Sequence, residues 1–503
     1  MTSPHAHTAP GYRRISIDPI TRLEGHGKID IFLDEAGEVA ECFFQVPELR
    51  GFEKFCEGRP VEELPRITPR ICGVCPEAHM MASAKACDAV YNVSLPPTAR
   101  MLRELQYCIF FVTDHATHFY ALAAPDFVMG PASDPASRNL IGVIRKLGVE
   151  IGGQVIKARQ WGHEAASIFG GRPVIPINAI PGGMSKPISA EERTRLEEIA
   201  SFMVEFSSFT LKILDEVVLE NQAYVDLILN GPYHHRTHSM GLVDQKNRVN
   251  FYDGMVRVVD PDGLEVCKFQ PAHYARHIAE HVEPWSYLKF PYLRDVGWKG
   301  FVDGTSSGVY RATPQSRLNA SDGMSTPRAQ EAYERYYETL TGDRSGRKPV
   351  HHTLAIHWAR VIEMMNAAER ALELVRHPDI TNPEKYRVVP TETPTEGVGI
   401  VEAPRGTLTH HYVTDERGIV RKANLIVGTT NNHAAICMSI KKAAQGLIRR
   451  GEPVTEGVLN QIEMAFRAYD PCFGCATHSL PGRMPLVVRL REKDGTVVGE
   501  TMR

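Results

Sequence analysis

Two short stretches decide how this chain must fold: RICGVCPEAH at residues 70–79 and DPCFGCATH at residues 470–478. Each holds a Cys-x-x-Cys pair, Cys72 with Cys75 and Cys472 with Cys475, and two thiols at that spacing can grip one soft metal ion through a tight turn. Zinc modules carry their paired thiols roughly 15 to 20 residues apart, whereas these pairs stand about 400 residues apart. Thioredoxin-type dithiols sit at a helix start inside a compact βαβ unit, which neither pair has. Iron-sulfur clusters call for more closely spaced cysteines. Two chelating pairs meeting at one buried centre is the best reading, and it calls for a fold that closes its two ends on each other.

Before and between the pairs, periodicity outlines that fold. Ile29, Ile31 and Leu33 alternate, a turn follows at residues 34–37, and Cys42, Phe44 and Val46 resume, predicting a hairpin over Lys28 to Val46. Met101, Leu102, Leu105, Cys108, Ile109 and Val112 recur at helical spacing, as do Leu196, Ile199, Met203, Phe206, Ile213 and Val217 with Thr210 among them. Helical patterns also cover 137–168, 327–340, 351–376, 433–449 and 455–468. Gly/Pro-rich joints at 170–183, 261–263 and 390–399 separate the blocks, and strand-like runs at 249–259 and 419–427 add small sheets. The expected class is α+β and predominantly helical, a central bundle of long helices with small peripheral β-sheets.

The bulk properties exclude several roles. A chain of 503 residues, 43% hydrophobic and 23% charged, can bury a core without disulfide staples. Lys+Arg number 57 against 60 Asp+Glu, a net charge of -3 that speaks against nucleic acid or an anionic membrane surface as main partner. Cys42, Cys56, Cys87, Cys108, Cys267 and Cys437 stand singly and read as packing thiols. No run of 18 apolar residues exists to span a bilayer. The first 14 residues lack a secretion signal and read as a disordered lead, which points to the cytoplasm unless a partner carries the export signal for both.

With RLEGH (22–26), the two cysteine motifs resemble those of the large, catalytic subunits of nickel-iron hydrogenases. ELRGFEKF (48–55), GRP (58–60), DHATHFYALAAPD (114–126), PGG (181–183) and EAPRG (402–406) follow in the family's order, so the resemblance covers nearly the whole chain. It implies the hydrogenase large-subunit fold as one catalytic domain over 15–478, and reversible heterolytic cleavage of hydrogen into protons and electrons. Cys72 and Cys472 would bind nickel terminally, while Cys75 and Cys475 would bridge it to an iron carrying carbon monoxide and cyanide. Four soft, anionic sulfurs suit such a centre.

The same resemblance assigns the surroundings. Arg405, after Pro404, would form a canopy over the metals and donate to a cyanide, with Asp114 and Asp470 orienting it and Thr429 reaching the second cyanide. Glu24 would relay protons beside Cys472, burial raising its pKa, and His79 would donate to a bridging sulfur. Either Cys472 or Arg405 would be the first proton acceptor. Glu53, the Leu425 carbonyl and His478 would hold a magnesium or iron ion near the C-terminus. One departure is Ile175, in GGRPVIP (170–176), where many relatives carry His.

An endopeptidase of the family cuts after the His matched by His478 once nickel-insertion proteins have loaded the metal, so residues 479–503 would be a maturation extension; the alternative is an ordinary C-terminal strand over 484–490. The implied partners are an iron-sulfur small subunit, with further electron-transfer subunits behind it. GFEKFCEGRP and DPASRN (134–139) look most like the cytosolic, bidirectional branch, and with no nucleotide-binding Gly-rich loop here such a cofactor would bind another protein of the complex. A regulatory hydrogen sensor is the alternative function, told apart by slow turnover; a quinone-module subunit shares the fold but not the four thiols.

Overall fold

The alternating run at the start of the chain forms a three-stranded antiparallel sheet in the order β1 (Arg13–Ile17), β2 (Lys28–Leu33), β3 (Val39–Gln45). This is seen in a computed structural model that describes residues 13–476, apart from 19, 47, 49 and 50, together with the backbone of 487–491 and 497–502. Ile29 and Ile31 point into the core. β1 starts inside the stretch read as a lead, because Arg14 forks onto the buried Asp30 at 2.9 and 3.0 Å and draws the chain into the sheet.

Long helices fill the middle: α1 (Pro76–Val90), α2 (Pro97–Thr117), α3 (Leu140–Leu147), α4 (Val149–Gly170), α5 (Ala190–Leu214), α6 (Pro327–Thr341), α7 (Ile356–Val375), α8 (His433–Leu447) and α9 (Glu456–Arg467). The periodic residues of α2 and α5 are the ones that pack, and α7 lies against both. α5 opens with a capping box in which Ser189 and Glu192 exchange side-chain and backbone bonds of 3.1 and 2.8 Å. The stretch expected as one helix over 137–168 is broken at Gly148, whose φ of 106° no other residue type adopts easily, giving α3 and α4.

Two further sheets flank the bundle. One runs β7 (Tyr310–Arg311), β4 (His238–Val243), β5 (Met255–Val259), β6 (Glu265–Phe269) in spatial order. The strand expected over 249–259 is confined to β5, because the Asn250 side chain accepts from the N–H groups of Tyr252 and Asp253 and turns the chain. The other is the meander β8 (Glu396–Ala403), β9 (Gly406–Thr414), β10 (Val420–Ile426), which α1 covers. A Cβ on Gly399 would lie 2.1 Å from the Ala82 carbonyl oxygen, and one on Gly397 2.3 Å from that of Ala86, so both glycines are required for this contact. A last strand pair, Val487–Arg491 with Val497–Met502, lies in the stretch assigned to the extension.

One hydrophobic core runs through the bundle and the first sheet and takes in all four motif cysteines. Among the described residues no helix is long and apolar enough to cross a membrane. The six single cysteines are free and buried, save Cys267, which is half-buried.

Candidate metal centre

Cys72 leaves a short 3-10 turn (Thr68–Ile71) in extended conformation, and Cys75 caps α1, with Pro76 supplying the preset first helical φ. At the far end of the chain Cys472 pairs with Glu24 as an isolated parallel bridge, and Phe473–Ala476 makes one helical turn that carries Cys475. The four thiol sulfurs lie within 4.8 Å of one another, all buried. Cys72 and Cys472 are 3.3 Å apart, Cys75 and Cys475 3.5 Å, and Cys472 and Cys475 2.9 Å. The N–H groups of Val74 and Cys75 point at the Cys72 sulfur from 3.2 and 3.4 Å.

This crowding is chemically one-sided. Hydrogen-bonding contacts with Cys472, Cys475 and Cys75 hold Cys72 well below the usual thiol range, whereas burial pushes Cys472 and Cys475 well above it. Four thiolates packed this closely would repel one another and call for a cation between them. Four soft sulfurs converging in a dry site fit the transition metals that favour thiolate.

Around the sulfurs the residues singled out from sequence converge. Glu24 accepts from the Gly474 N–H at 2.9 Å and lies 3.0 Å from the Cys472 sulfur. Burial raises its pKa, the bond from Cys472 opposes this, and the charge of Cys72 adds to it. Pro404 and Arg405 form the two-residue turn between β8 and β9, closed by the pairing of Ala403 with Gly406. From this turn Arg405 reaches Asp114 on α2 at 3.1 Å and Asp470 at 2.9 Å. Burial raises Asp114 and pushes Asp470 up to about 7, against the pull of Arg405. Burial would lower Arg405, but the two carboxylates hold it well above its ordinary value. Thr429 Oγ1 accepts the Cys472 N–H at 3.0 Å.

His79 stands on α1 with Nδ1 3.1 Å from His410 Nε2, and His410 in turn meets the Tyr412 hydroxyl at 2.6 Å. Glu53 and Leu425 come together, the Glu53 carboxylate accepting the Leu425 N–H at 2.8 Å; His478 lies outside the described residues. Ile175 adopts φ 57°, the left-handed region, in the loop after α4. Sequence reasoning passed over a second buried ion cluster behind the canopy. Arg317 forks onto Glu363 at 2.6 Å on both arms, reaches Glu402 at 3.1 Å, and donates to the Pro404 carbonyl at 3.1 Å. Its signal was present in α7, where Arg360 and Glu363 interrupt an otherwise apolar face one turn apart.

Residues 50–137 and 310–478 match the family described as nickel-dependent hydrogenase, and residues 14–49 match one described as HoxL-like. The chain belongs to the nickel-dependent hydrogenase family. Within it, an F420-non-reducing hydrogenase iron-sulfur subunit from Archaeoglobus profundus is 47% identical, over 97% of this chain and 99% of that one. The NAD-reducing hydrogenase HoxS subunit beta of Cupriavidus necator is 37% identical, over 98% and 100%. The crystal structure of an NAD+-reducing NiFe-hydrogenase in the H2-reduced state superposes with a TM-score of 0.85 at 36% identity, covering 93% of this chain and all of that one. The protein is thus a hydrogenase large subunit in both fold and family, an oxidoreductase acting on hydrogen, and its cysteine cluster fits the nickel-iron centre that the family implies.

Proposed function

We propose that this protein splits hydrogen heterolytically and reversibly, releasing protons through its own side chains and electrons to an iron-sulfur small subunit. The observation that carries this is the meeting of two Cys-x-x-Cys pairs, from opposite ends of the chain, as four buried sulfurs within 4.8 Å. Cys72 and Cys472 would hold nickel terminally, and Cys75 and Cys475 would share it with an iron bearing carbon monoxide and cyanide. When bound, the centre supplies the Lewis acid that polarises hydrogen and takes up its electrons.

The protein's part is to hold and move the proton. Glu24, 3.0 Å from the Cys472 sulfur and raised by burial, is placed to accept a proton from that sulfur and pass it outward. Arg405 is pinned by Asp114 and Asp470, and its Nε has no partner among the described residues, leaving a donor for a cyanide; the two carboxylates hold its proton in place, which favours the Cys472 sulfur as the first proton acceptor. Thr429 receives the Cys472 N–H on its oxygen, so its hydroxyl proton is available to the second cyanide. His79 would tune a bridging sulfur. Glu53, the Leu425 carbonyl and His478 would hold a magnesium or iron ion that ties the mature end of the chain to the core.

Among the described residues no other cluster of metal-ligating side chains exists, so electrons leave across an interface. The relatives' names, one NAD-reducing and one F420-non-reducing, support membership of the cytosolic, bidirectional branch, with further electron-transfer subunits behind the small one. Nickel-insertion proteins and an endopeptidase would mature the chain by removing residues 479–503.

The test is elemental analysis, infrared spectroscopy, terminal mass and hydrogen turnover of the complex purified with its native partners. Nickel, iron, carbon monoxide and cyanide bands, a chain ending at His478, and rapid hydrogen oxidation are expected. Zinc, or no metal in a chain already cut, would overturn the reading, and a loaded complex with little turnover would favour a hydrogen sensor. Cys475→Ser is expected to lose the binuclear centre; nickel, iron and activity retained in that variant would refute its bridging role.

A further inference from the structure

Arg360 has no role in the chemistry described so far, yet it is fully buried on α7 beside the canopy. Of its N–H groups only Nη2 finds an acceptor, the Ala468 carbonyl at 3.2 Å; Nε and Nη1 have none among the described residues. Ala468 is the C-cap of α9, where unpaired carbonyls gather the negative end of the helix and favour a cation. Two residues on, Asp470 takes the left-handed φ of 54°, and two further comes Cys472. The bond to Ala468 therefore fixes the root of the turn that delivers Asp470 to Arg405 and Cys472 to the other sulfurs.

Charge balance points the same way. Asp114 and Asp470 share Arg405, while Glu363 and Glu402 share Arg317, so four buried carboxylates meet two guanidiniums. Arg360 stands between the two clusters, attracted by Asp470 and Glu363 and repelled by Arg405 and Arg317. Burial outweighs the attraction and lowers it to about 10, which still leaves it charged near neutrality. Carboxylates buried without enough counter-charge are costly and rearrange or take up protons.

Building on the function proposed above, we propose that Arg360 is a positioning residue of the canopy, anchoring the Ala468–Asp470 turn and supplying the positive charge that keeps Asp470 paired with Arg405 over the four sulfurs. It touches neither the metals nor hydrogen and acts through Asp470 and the turn.

The experiment compares the native complex with Arg360→Met and Arg360→Lys, following metal content, infrared bands, hydrogen oxidation and deuterium exchange of the amides in residues 468–476. The expected Arg360→Met complex keeps nickel and iron, loses hydrogen oxidation at least tenfold, shifts its infrared bands, and exchanges those amides at least threefold faster. Arg360→Lys, which keeps the charge but not the fork, is expected to fall between it and the parent. Parental bands, exchange and rate in Arg360→Met overturn the proposal. Should Arg360→Met fail to assemble, Arg360→Lys decides: shifted bands with faster exchange uphold the proposal, and parental values for both overturn it. A parental complex without nickel or diatomic bands refutes the hydrogenase reading by itself, and the exchange comparison still judges Arg360.

Discussion

Glu363 and Glu402 compete for one guanidinium, and the outcome differs for each. Glu363 takes both arms of Arg317 and, although burial pulls the other way, is held below the usual carboxylate range. Glu402 is left with a single 3.1 Å contact, and burial pushes it up to about 7 despite Arg317 and the bonds from Thr407 and Leu242. Between its ordinary value of 4.5 and about 7 the folded protein binds a proton that the unfolded chain has released. The stabilising contribution is therefore complete below 4.5 and is lost as pH rises to about 7, an upper limit of about 3 kcal/mol. Glu402→Gln cannot titrate, so its melting temperature is expected to fall less than the parent's between about pH 5 and about pH 8, by a few degrees in differential scanning fluorimetry; parallel curves would refute the assignment. At this scale the sequence was legible where a motif is short and local: the cysteine pairs, the Pro-Arg-Gly turn and Glu24 each announce themselves within a few positions. The partners of Arg317 lie 46 and 85 residues away, and no local pattern records such a pairing.

Among the elements, helices were read well where one face is buried and poorly where backbone geometry decides. α2 and α5 show their apolar stripe in the sequence, yet both continue into π-helical turns, His118–Ala123 and Asp215–Leu219, that the stripe does not reveal. The break at Gly148 and the Asn250 turn are likewise single-residue backbone events inside otherwise periodic runs. The packing of β8 against α1 depends on such a detail as well. Gly399 faces the helix backbone, where a Cβ would meet the Ala82 carbonyl oxygen at 2.1 Å and the Ala86 nitrogen at 2.4 Å, atoms fixed in the α1 ladder. Gly399→Val is therefore expected to lift α1 from the sheet and move its cap Cys75, with a loss of stability of about 3 kcal/mol or more. Thermal unfolding and nickel content together check this, and a variant with parental melting temperature and metal would show that the strand and helix can part without cost.

At the scale of the whole molecule, the fold must bring Glu24 from one end to Cys472 at the other, and the device that does so is a buried charge cluster. Asp126 accepts from Arg22 Nη2 at 2.5 Å, from Asn460 Nδ2 at 3.0 Å and from Arg467 Nη1 at 3.1 Å, joining the N-terminal motif to α9. Arg22 itself sits at φ 55°, a conformation that costs a non-glycine residue about 1 kcal/mol or more, and its side chain also donates to the Leu122 carbonyl at 3.0 Å. The segment that carries Glu24 is thus held in a strained turn by a carboxylate in the DHATHFYALAAPD motif. That motif was legible as a family signature, but Asp126 was not legible as the joint, because its partners come from both ends of the chain. Asp126→Asn removes the counter-charge of Arg22 and leaves Arg467 with Glu463 alone, an expected loss of about 3 kcal/mol. Releasing Arg22 also frees the turn before Glu24, so hydrogen turnover is expected to fall by more than metal content does. Thermal melting, nickel analysis and hydrogen oxidation on one preparation separate these effects: lowered stability with parental turnover per nickel would mean that the cluster holds the fold together without positioning Glu24.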